Sequence, residues 1–372
     1  MKAADLPQQR PAHAKLLILD ADGAIAHAPR AAFANLLRAG DLVVANDAST
    51  LPASLHGTHV TSGAPIEVRL AGRRSLAAED VRRFAAVIFG AGDFRTRTEE
   101  RPLPPALLPG DRLALGPLSA IVEETLGHPR LAALRFDGNA KTVWAGLARH
   151  GKPIQYAHVR EPLRLWDVWT PIAGAPAAFE PPSAGFAIDW SVLREIRARG
   201  AEFATLTHAA GISSTGDAAL DRRLPFDEPY RIPPATAAAV ERARARGGRV
   251  IAIGTTVVRA LEHAASSRGR VRAGAGLATQ RIGPETRLRV VDAILSGTHE
   301  AGTSHYELLR AFTDDAALER VSAALEADGY RTHEFGDSMF IERRGGQRDE
   351  TRWWSRSFFD WARSSQHRLM SA

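Results

Sequence analysis

RVIAIGTTVVRALEHA, residues 249–264, opens as a short buried strand, turns sharply at Gly254 and continues as a helix. Gly247-Gly248 ends a preceding helix that Pro234 begins as a first-turn proline, so the unit is helix, strand, tight turn, helix. That texture is α/β. Thr255 and Thr256 fall where the free backbone N–H groups of the second helix point outward, a position that suits an anion or a carboxylate. Arg259 and Glu262 lie three apart and share a helical face. Either Arg259 holds a substrate carboxylate and Glu262 handles a proton, or the threonines are caps and the pair is a solvated ion pair. Spacing alone favours the latter.

Outward from this unit the pattern repeats. Trp190–Arg199 reads as a helix stopped by Gly200, and Ala204–His208 as a strand followed by the small-residue loop AAGISS. A strand is expected over Leu288–Ala293. The helix after it is opened by Ser304, with Glu307 three residues on in a capping-box pattern. Residues 318–328 form another helix, and Tyr330–Ile341 a closing hairpin or strand. Near the start, Lys15–Leu19 and Ala24–His27 make a hairpin, a helix carries Phe33, Leu36 and Leu37, and a strand covers Asp41–Asn46.

Between about 55 and 149 the texture changes to short β runs divided by turns: Ile66–Leu70, Ala85–Phe89, Arg112–Leu115, Ser119–Glu123 and Leu131–Phe136. Strands this short at this spacing predict a small antiparallel barrel or sandwich. The expected organisation is therefore an α/β main domain (1–54 and 150–344), an inserted antiparallel β-barrel domain (55–149) and an aromatic, basic tail (345–372) that packs as a helix or strand.

Composition bounds the chemistry. The chain has 372 residues, 45% hydrophobic and 24% charged, enough for two cores. With no cysteine there is no disulfide, thiolate nucleophile or cysteine metal site, which leaves His, carboxylates, hydroxyls and Arg. The net charge is +6, almost all of it arginine, since Lys2, Lys15, Lys141 and Lys152 are the only lysines. Guanidinium suits phosphate, yet it is also what a GC-rich genome writes for any surface cation. Apolar runs such as LLILD (16–20) fall far short of the ~20 residues of a membrane span, and no signal-peptide core is present. A cytoplasmic protein is expected. No Walker A lysine motif or G-x-G-x-x-G follows a strand, so nucleoside triphosphate and dinucleotide readings lose support.

Three further places carry candidate chemistry. His299 and Glu300 occupy a Gly-bounded loop that runs into a helix N-terminus, where a His can act as general base or simply bond backbone. His208 ends a strand beside a small-residue loop. Asp337 sits in a turn within FGDSMFI. His299 and His305 lack the spacing of a helical metal pair, and no metal is expected.

These segments together resemble one family, the S-adenosylmethionine:tRNA ribosyltransferase-isomerases of queuosine biosynthesis. GDLVVANDASTLPASLHG (40–57) resembles the family's GDLLVLNDTRVIPARLFG, and SGAPIEVRL (62–70) its strand into the inserted domain. AIGTTVVRALE (252–262) is similar to AVGTTSVRTLE, and YRTHEFGDSMFI (330–341) to YRFFSYGDAMLI. The resemblance implies an α/β domain with an inserted barrel. It implies transfer of the ribosyl part of S-adenosylmethionine onto 7-aminomethyl-7-deazaguanine in the tRNA anticodon, releasing adenine and methionine and giving epoxyqueuosine. The sulfonium acidifies its neighbouring carbon, so a base can start ring opening and a donor can protonate adenine. By position, the resemblance assigns Gly254, Thr255, Thr256, Arg259, Thr303 and Ser304 to the S-adenosylmethionine site, and His208, His299, Glu228 and Asp337 to catalysis.

The chain departs from the pattern at several ionisable positions. In PPSAGFAIDW (181–190) Ala187 stands at the histidine of PTAGLHFT, and in RRLPFDEPY (222–230) Arg223 and Phe226 stand at the histidines of H-x-M-H-x-E, where Glu228 survives. Ser49 and Ser54 replace two arginines, a change that weakens phosphate contact. SGTHEAGTS (296–304) keeps His299, Thr303 and Ser304 of NFHLPKST. Two alternatives therefore stand beside the family reaction: a paralogue using S-adenosylmethionine on another acceptor, and a catalytically silent RNA-binding relative. A monomer is expected.

Overall fold

The computed structural model describes residues 1–266 and 269–345, so the tail expected after Gly345 lies outside the described residues. In chain order the strands are β1 (Lys15–Leu19), β2 (Ile25–Pro29) and β3 (Leu42–Asn46), then β4 (Ser54–His59), β5 (Pro65–Gly72), β6 (Arg83–Phe89), β7 (Arg112–Leu115), β8 (Leu118–His128) and β9 (Leu131–Phe136). Helices α1 (Ala140–His150) and α2 (Trp190–Ala198) precede β10 (Glu202–His208) and β11 (Glu228–Ile232). Next come α3 (Pro234–Ala245), β12 (Val250–Ile253), α4 (Thr255–Ala265), β13 (Gly274–Ala278) and β14 (Ala293–Gly297), followed by α5 (Ser304–Leu309), α6 (Asp315–Ala327) and β15 (Ser338–Glu342).

Strands β4–β9 close into an antiparallel six-stranded barrel in the order β8-β9-β6-β5-β4-β7. Its core is aliphatic with Phe84, Phe89 and Phe136, and α1 lies against β8 so closely that a Cβ on Gly146 would meet Leu118. The other large sheet has nine strands, β13-β11-β10-β3-β12-β14-β15-β1-β2. At its centre β10, β3, β12 and β14 run parallel.

Alternation in these central strands sends side chains to two faces. Leu42, Val44, Val250 and Ala252 pack with α3, α4 and α6, while Val43, Ala45, Ile251 and Ile253 pack with α2 and the segment around Phe33. Burial on both faces is why these strands read as unbroken apolar runs. The amino ends are held by charge: Arg249 binds Asp41, at 2.6 Å, and Glu342. The carboxyl ends are left for a ligand.

Four local expectations change. The segment carrying Phe33 and Leu36 is a 3₁₀ turn, Arg30–Leu36, entered from Pro29, not an α-helix. The strand expected over Leu288–Ala293 begins only at Ala293, because the Glu262 carboxylate accepts the amides of Arg289, Val290 and Val291 and takes those residues out of any ladder. Thr303, not Ser304, caps α5, and Glu307 pairs with Arg310 instead of closing a capping box. Strands β4, β11 and β13 escaped the sequence reading, β11 because Pro229 interrupts it and β13 because GAGLA carries little apolar signal.

Candidate functional site

Three of the four parallel strands lead from their carboxyl ends into the walls of one cavity of about 500 Å³. Ala210–Ser213 follow β10, Gly254–Thr256 follow β12, and Ser296, Gly297 and His299 end and follow β14. This is the place where open α/β sheets bind ligands. Asn46 fixes its floor: its side chain accepts the His208 amide at 2.9 Å and donates to the His208 carbonyl at 3.0 Å, tying β3 to β10.

Gly254 turns the chain at φ 90° and ψ 160°, a region that only glycine adopts without strain. Thr255 and Thr256 begin α4 directly at the cavity, so the first-turn amides face it. Replacing Gly254 by alanine is expected to lower stability by about 1–3 kcal/mol. The new Cβ would also press on Ala184 at 3.3 Å across the cavity wall. Urea unfolding measures this, and an unchanged midpoint would mean that the turn relaxes freely.

Arg259 is buried and faces Glu228, not Glu262. Its Nη2 also donates to the carbonyls of Ala278 at 3.0 Å, Gln280 at 3.2 Å and Phe226 at 3.3 Å. The solvated Arg259–Glu262 pair suggested by spacing does not form; Glu262 is buried and holds backbone amides. Glu228 accepts the Gly211 amide at 2.6 Å, and burial raises its carboxyl pKa against the pull of Arg259. His208 lies fully buried behind this pair, 3.5 Å from Glu228, with its pKa driven well below the ordinary value by burial and then by Arg259. It does not line the cavity, and neither ring nitrogen hydrogen-bonds among the described residues.

His299 does line the cavity. Its Nε2 sits 3.0 Å from Ser296 Oγ and its ring stacks on His305 at 4.6 Å. Burial, then the neighbouring His305 and His333, push its pKa well down, and burial brings His305 to about 4. Both rings are therefore neutral near pH 7 and can accept a proton. Ser304 is in the wall; Thr303 is outside it, engaged as the α5 cap. Asp337 is also outside: its carboxylate accepts the amides of Lys15 at 2.7 Å and Arg331 at 2.9 Å, fastening the start of β1 to the segment that precedes β15. A substrate-facing role for Asp337 does not fit that geometry.

The substituted family positions lie off the cavity. Ala187, Arg223 and Phe226 do not line it; Arg223 donates to the Leu126 carbonyl and Phe226 packs on the barrel core. Ser49 and Ser54 are buried, Ser49 on the Gly174 carbonyl and Ser54 on Glu67, which Arg69 and Arg101 already neutralise. Interior serines here say little about phosphate contact.

Several wall residues were not read as site residues from the sequence. Glu180 and Ser213 come from separate segments and His305 and Glu307 from α5, and the exposed Arg222 and Arg281 stand at the wall with the Arg281 guanidinium on the Arg222 carbonyl at 2.7 Å. Beyond it, His158, His333 and Glu334 place ligand-type atoms within 4.8 Å of one another, a grouping the sequence did not disclose. The two rings stack at 4.3 Å and 21°, and His158 Nε2 is 3.1 Å from Glu334.

Residues 1–341 match the family model described as queuosine biosynthesis protein. A Citrifermentans bemidjiense protein named S-adenosylmethionine:tRNA ribosyltransferase-isomerase is 33% identical over 345 residues, covering 91% of this chain and 95% of that one. One of the same name from Sorangium cellulosum is 33% identical over 366 residues, covering 91% and 94%. A crystal structure of an S-adenosylmethionine tRNA ribosyltransferase from Thermotoga maritima aligns with a TM-score of 0.48 at 21% identity, covering 91% and 95%.

Proposed function

We propose a function from one premise: this chain belongs to the queuosine biosynthesis protein family. It is an S-adenosylmethionine:tRNA ribosyltransferase-isomerase, with S-adenosylmethionine as co-substrate and a transferred ribosyl group that ends as epoxyqueuosine. The observation that carries this is the match over nearly the whole chain, with the strand–Gly–Thr–Thr–helix unit placed at the cavity.

Within the cavity, the α4 first-turn amides at Gly254, Thr255 and Thr256 suit the methionine carboxylate of S-adenosylmethionine. Arg259 acts through Glu228, holding it in place, since its guanidinium already meets that carboxylate and three carbonyls. Glu228 offers a negative group for the sulfonium. His299, neutral and at the wall, is the candidate base for the proton that the sulfonium acidifies. His208 supports Glu228 from behind.

The anticodon region is the proposed tRNA contact, with Arg222 and Arg281 meeting phosphates at the rim. A tRNA substrate implies the cytoplasm, and no helix among the described residues is long and apolar enough to cross a membrane. A monomer is proposed. Replacing Arg222 and Arg281 by alanine is expected to weaken tRNA binding for all sequences and to reduce the slope of log K against log salt by about one per arginine. Filter binding over a salt series checks this, and an unchanged slope removes the rim from the interface.

The deciding experiment incubates labelled S-adenosylmethionine with tRNA bearing the aminomethyl-deazaguanine base, then digests to nucleosides for mass spectrometry. Epoxyqueuosine is expected. Binding of S-adenosylmethionine without that product would favour another acceptor, and no binding a silent RNA-binding relative.

A further inference from the structure

Glu180 belongs to the cavity wall, yet nothing in the reaction described so far uses it. It is buried, and it comes two residues after the short strand Pro176–Ala178, in a segment whose neighbour Phe179 is fixed by its amide on the Ala210 carbonyl. One of its oxygens accepts the Ser213 amide at 3.1 Å; the other meets the Tyr156 hydroxyl. Tyr156 in turn lies 3.0 Å from the Ser214 carbonyl oxygen.

Counting protons resolves this triangle. A hydroxyl has one hydrogen, and both of its neighbours here would be acceptors if Glu180 were ionised. The half-buried Ser214 carbonyl would then face an oxygen with no hydrogen between them, an unfavourable contact. With a proton on Glu180, every group is satisfied: Glu180 donates to Tyr156, Tyr156 donates to Ser214, and Ser213 donates to the second carboxyl oxygen.

We infer that Glu180 is the general acid of this site, the group whose proton departs with adenine, an assignment that rests on the reaction proposed above. The step balances. The bond from the anomeric carbon to adenine breaks with its electron pair moving to adenine, which takes the Glu180 proton and leaves neutral; Glu180 becomes a carboxylate. The ring oxygen supplies a pair to the anomeric carbon, forming a carbonyl, as base-initiated opening releases its bond on the other side. The proton removed beside the sulfonium and the proton given to adenine cancel.

The groups around Glu180 suit this work. Burial and then the charge of Glu334 raise its pKa to about 7, which places a proton donor where an acid operating near neutrality is most effective. Tyr156 and Ser213 touch it directly, Glu334 faces it from the loop before β15, and Arg69 of β5 stands on the far side with its guanidinium 5.4 Å from the Tyr156 ring. Glu334 is paired with His158, so the field on Glu180 is itself set by a hydrogen-bonded neighbour. Ala187 at a family histidine is then no loss of the acid, because the acid sits elsewhere on the wall.

The test uses the full chain with S-adenosylmethionine and tRNA carrying the aminomethyl-deazaguanine base, and reads adenine release across pH. Glu180→Gln reproduces the protonated carboxyl's shape and hydrogen bonds; it is expected to hold S-adenosylmethionine affinity within about twofold by calorimetry while lowering kcat about 10²-fold or more. The alkaline fall in kcat shown by the parent should vanish. Glu180→Asp should regain part of the rate with that alkaline limb restored, which a merely structural role would not produce. If the parent is active and Glu180→Gln keeps both its kcat and its alkaline limb, the assignment is overturned and the reaction reading stands. If the parent releases no adenine, the reaction reading falls and takes the assignment with it. Melting curves accompany each variant, and should Glu180→Gln fail to fold, the Glu180→Asp profile decides: an alkaline limb unmoved from the parent's overturns the assignment.

Discussion

Arg259→Ala is expected to destabilise the protein by about 3–5 kcal/mol, because it leaves Glu228 buried without its cation and strips donors from three carbonyls. The same change should abolish measurable S-adenosylmethionine binding, since Glu228 and the α4 start both lose their anchor. Urea unfolding and calorimetry check the two effects. A double variant with Glu228→Gln discriminates the cause: removing the stranded charge should recover a large part of the stability, a coupling that a double-mutant cycle reads. If the two losses simply add, the pair is not coupled and the account of Arg259 as the Glu228 anchor is wrong. Lysine will not substitute well, because one ammonium cannot reach a carboxylate and three carbonyls in the fork geometry of guanidinium.

Glu180 gives the second large effect, and on stability it needs no substrate. Its carboxyl pKa is raised from 4.5 to about 7 in the folded protein by burial and by Glu334. A raised acid keeps its proton in the folded state while the unfolded chain loses it, so stability is greatest below pH 4.5 for this group and falls as pH rises toward 7. The difference amounts to about 3 kcal/mol at pH 8, at 1.36 kcal/mol per unit. Glu180→Gln removes the titration. It should match the parent at pH 4.5 and exceed it by up to about 3 kcal/mol at pH 8, measured by urea unfolding across pH. Curves for the two proteins that stay parallel over this range would show that Glu180 titrates normally.

The sequence disclosed the fold better than the site. The apolar runs at 42–46 and 250–253 sit in the doubly covered centre of the sheet, and burial on both faces writes itself into sequence as uninterrupted hydrophobicity. Five of the six barrel strands were visible as short apolar runs between turns, and β4 was not. Pro229 and the Gly/Ala run at 274–278 hid β11 and β13, whose place is set by pairing partners far away in the chain. The missed start of β14 has the same origin: three amides that local pattern assigns to a ladder are held by Glu262, 27 to 29 residues earlier.

What the sequence by itself determined is the chain's membership of the family, the α/β-with-barrel architecture and the Gly-Thr-Thr turn, because each depends on short-range order in which neighbouring residues carry the signal. What only the tertiary structure decided is which ionisable groups meet. Arg259 chose Glu228 over Glu262, Asp337 turned to backbone amides, and Glu180 came to share a proton with Tyr156. Those choices follow from desolvation: a buried charge must find a partner within a few ångströms, and the fold, not the spacing along the chain, brings that partner near.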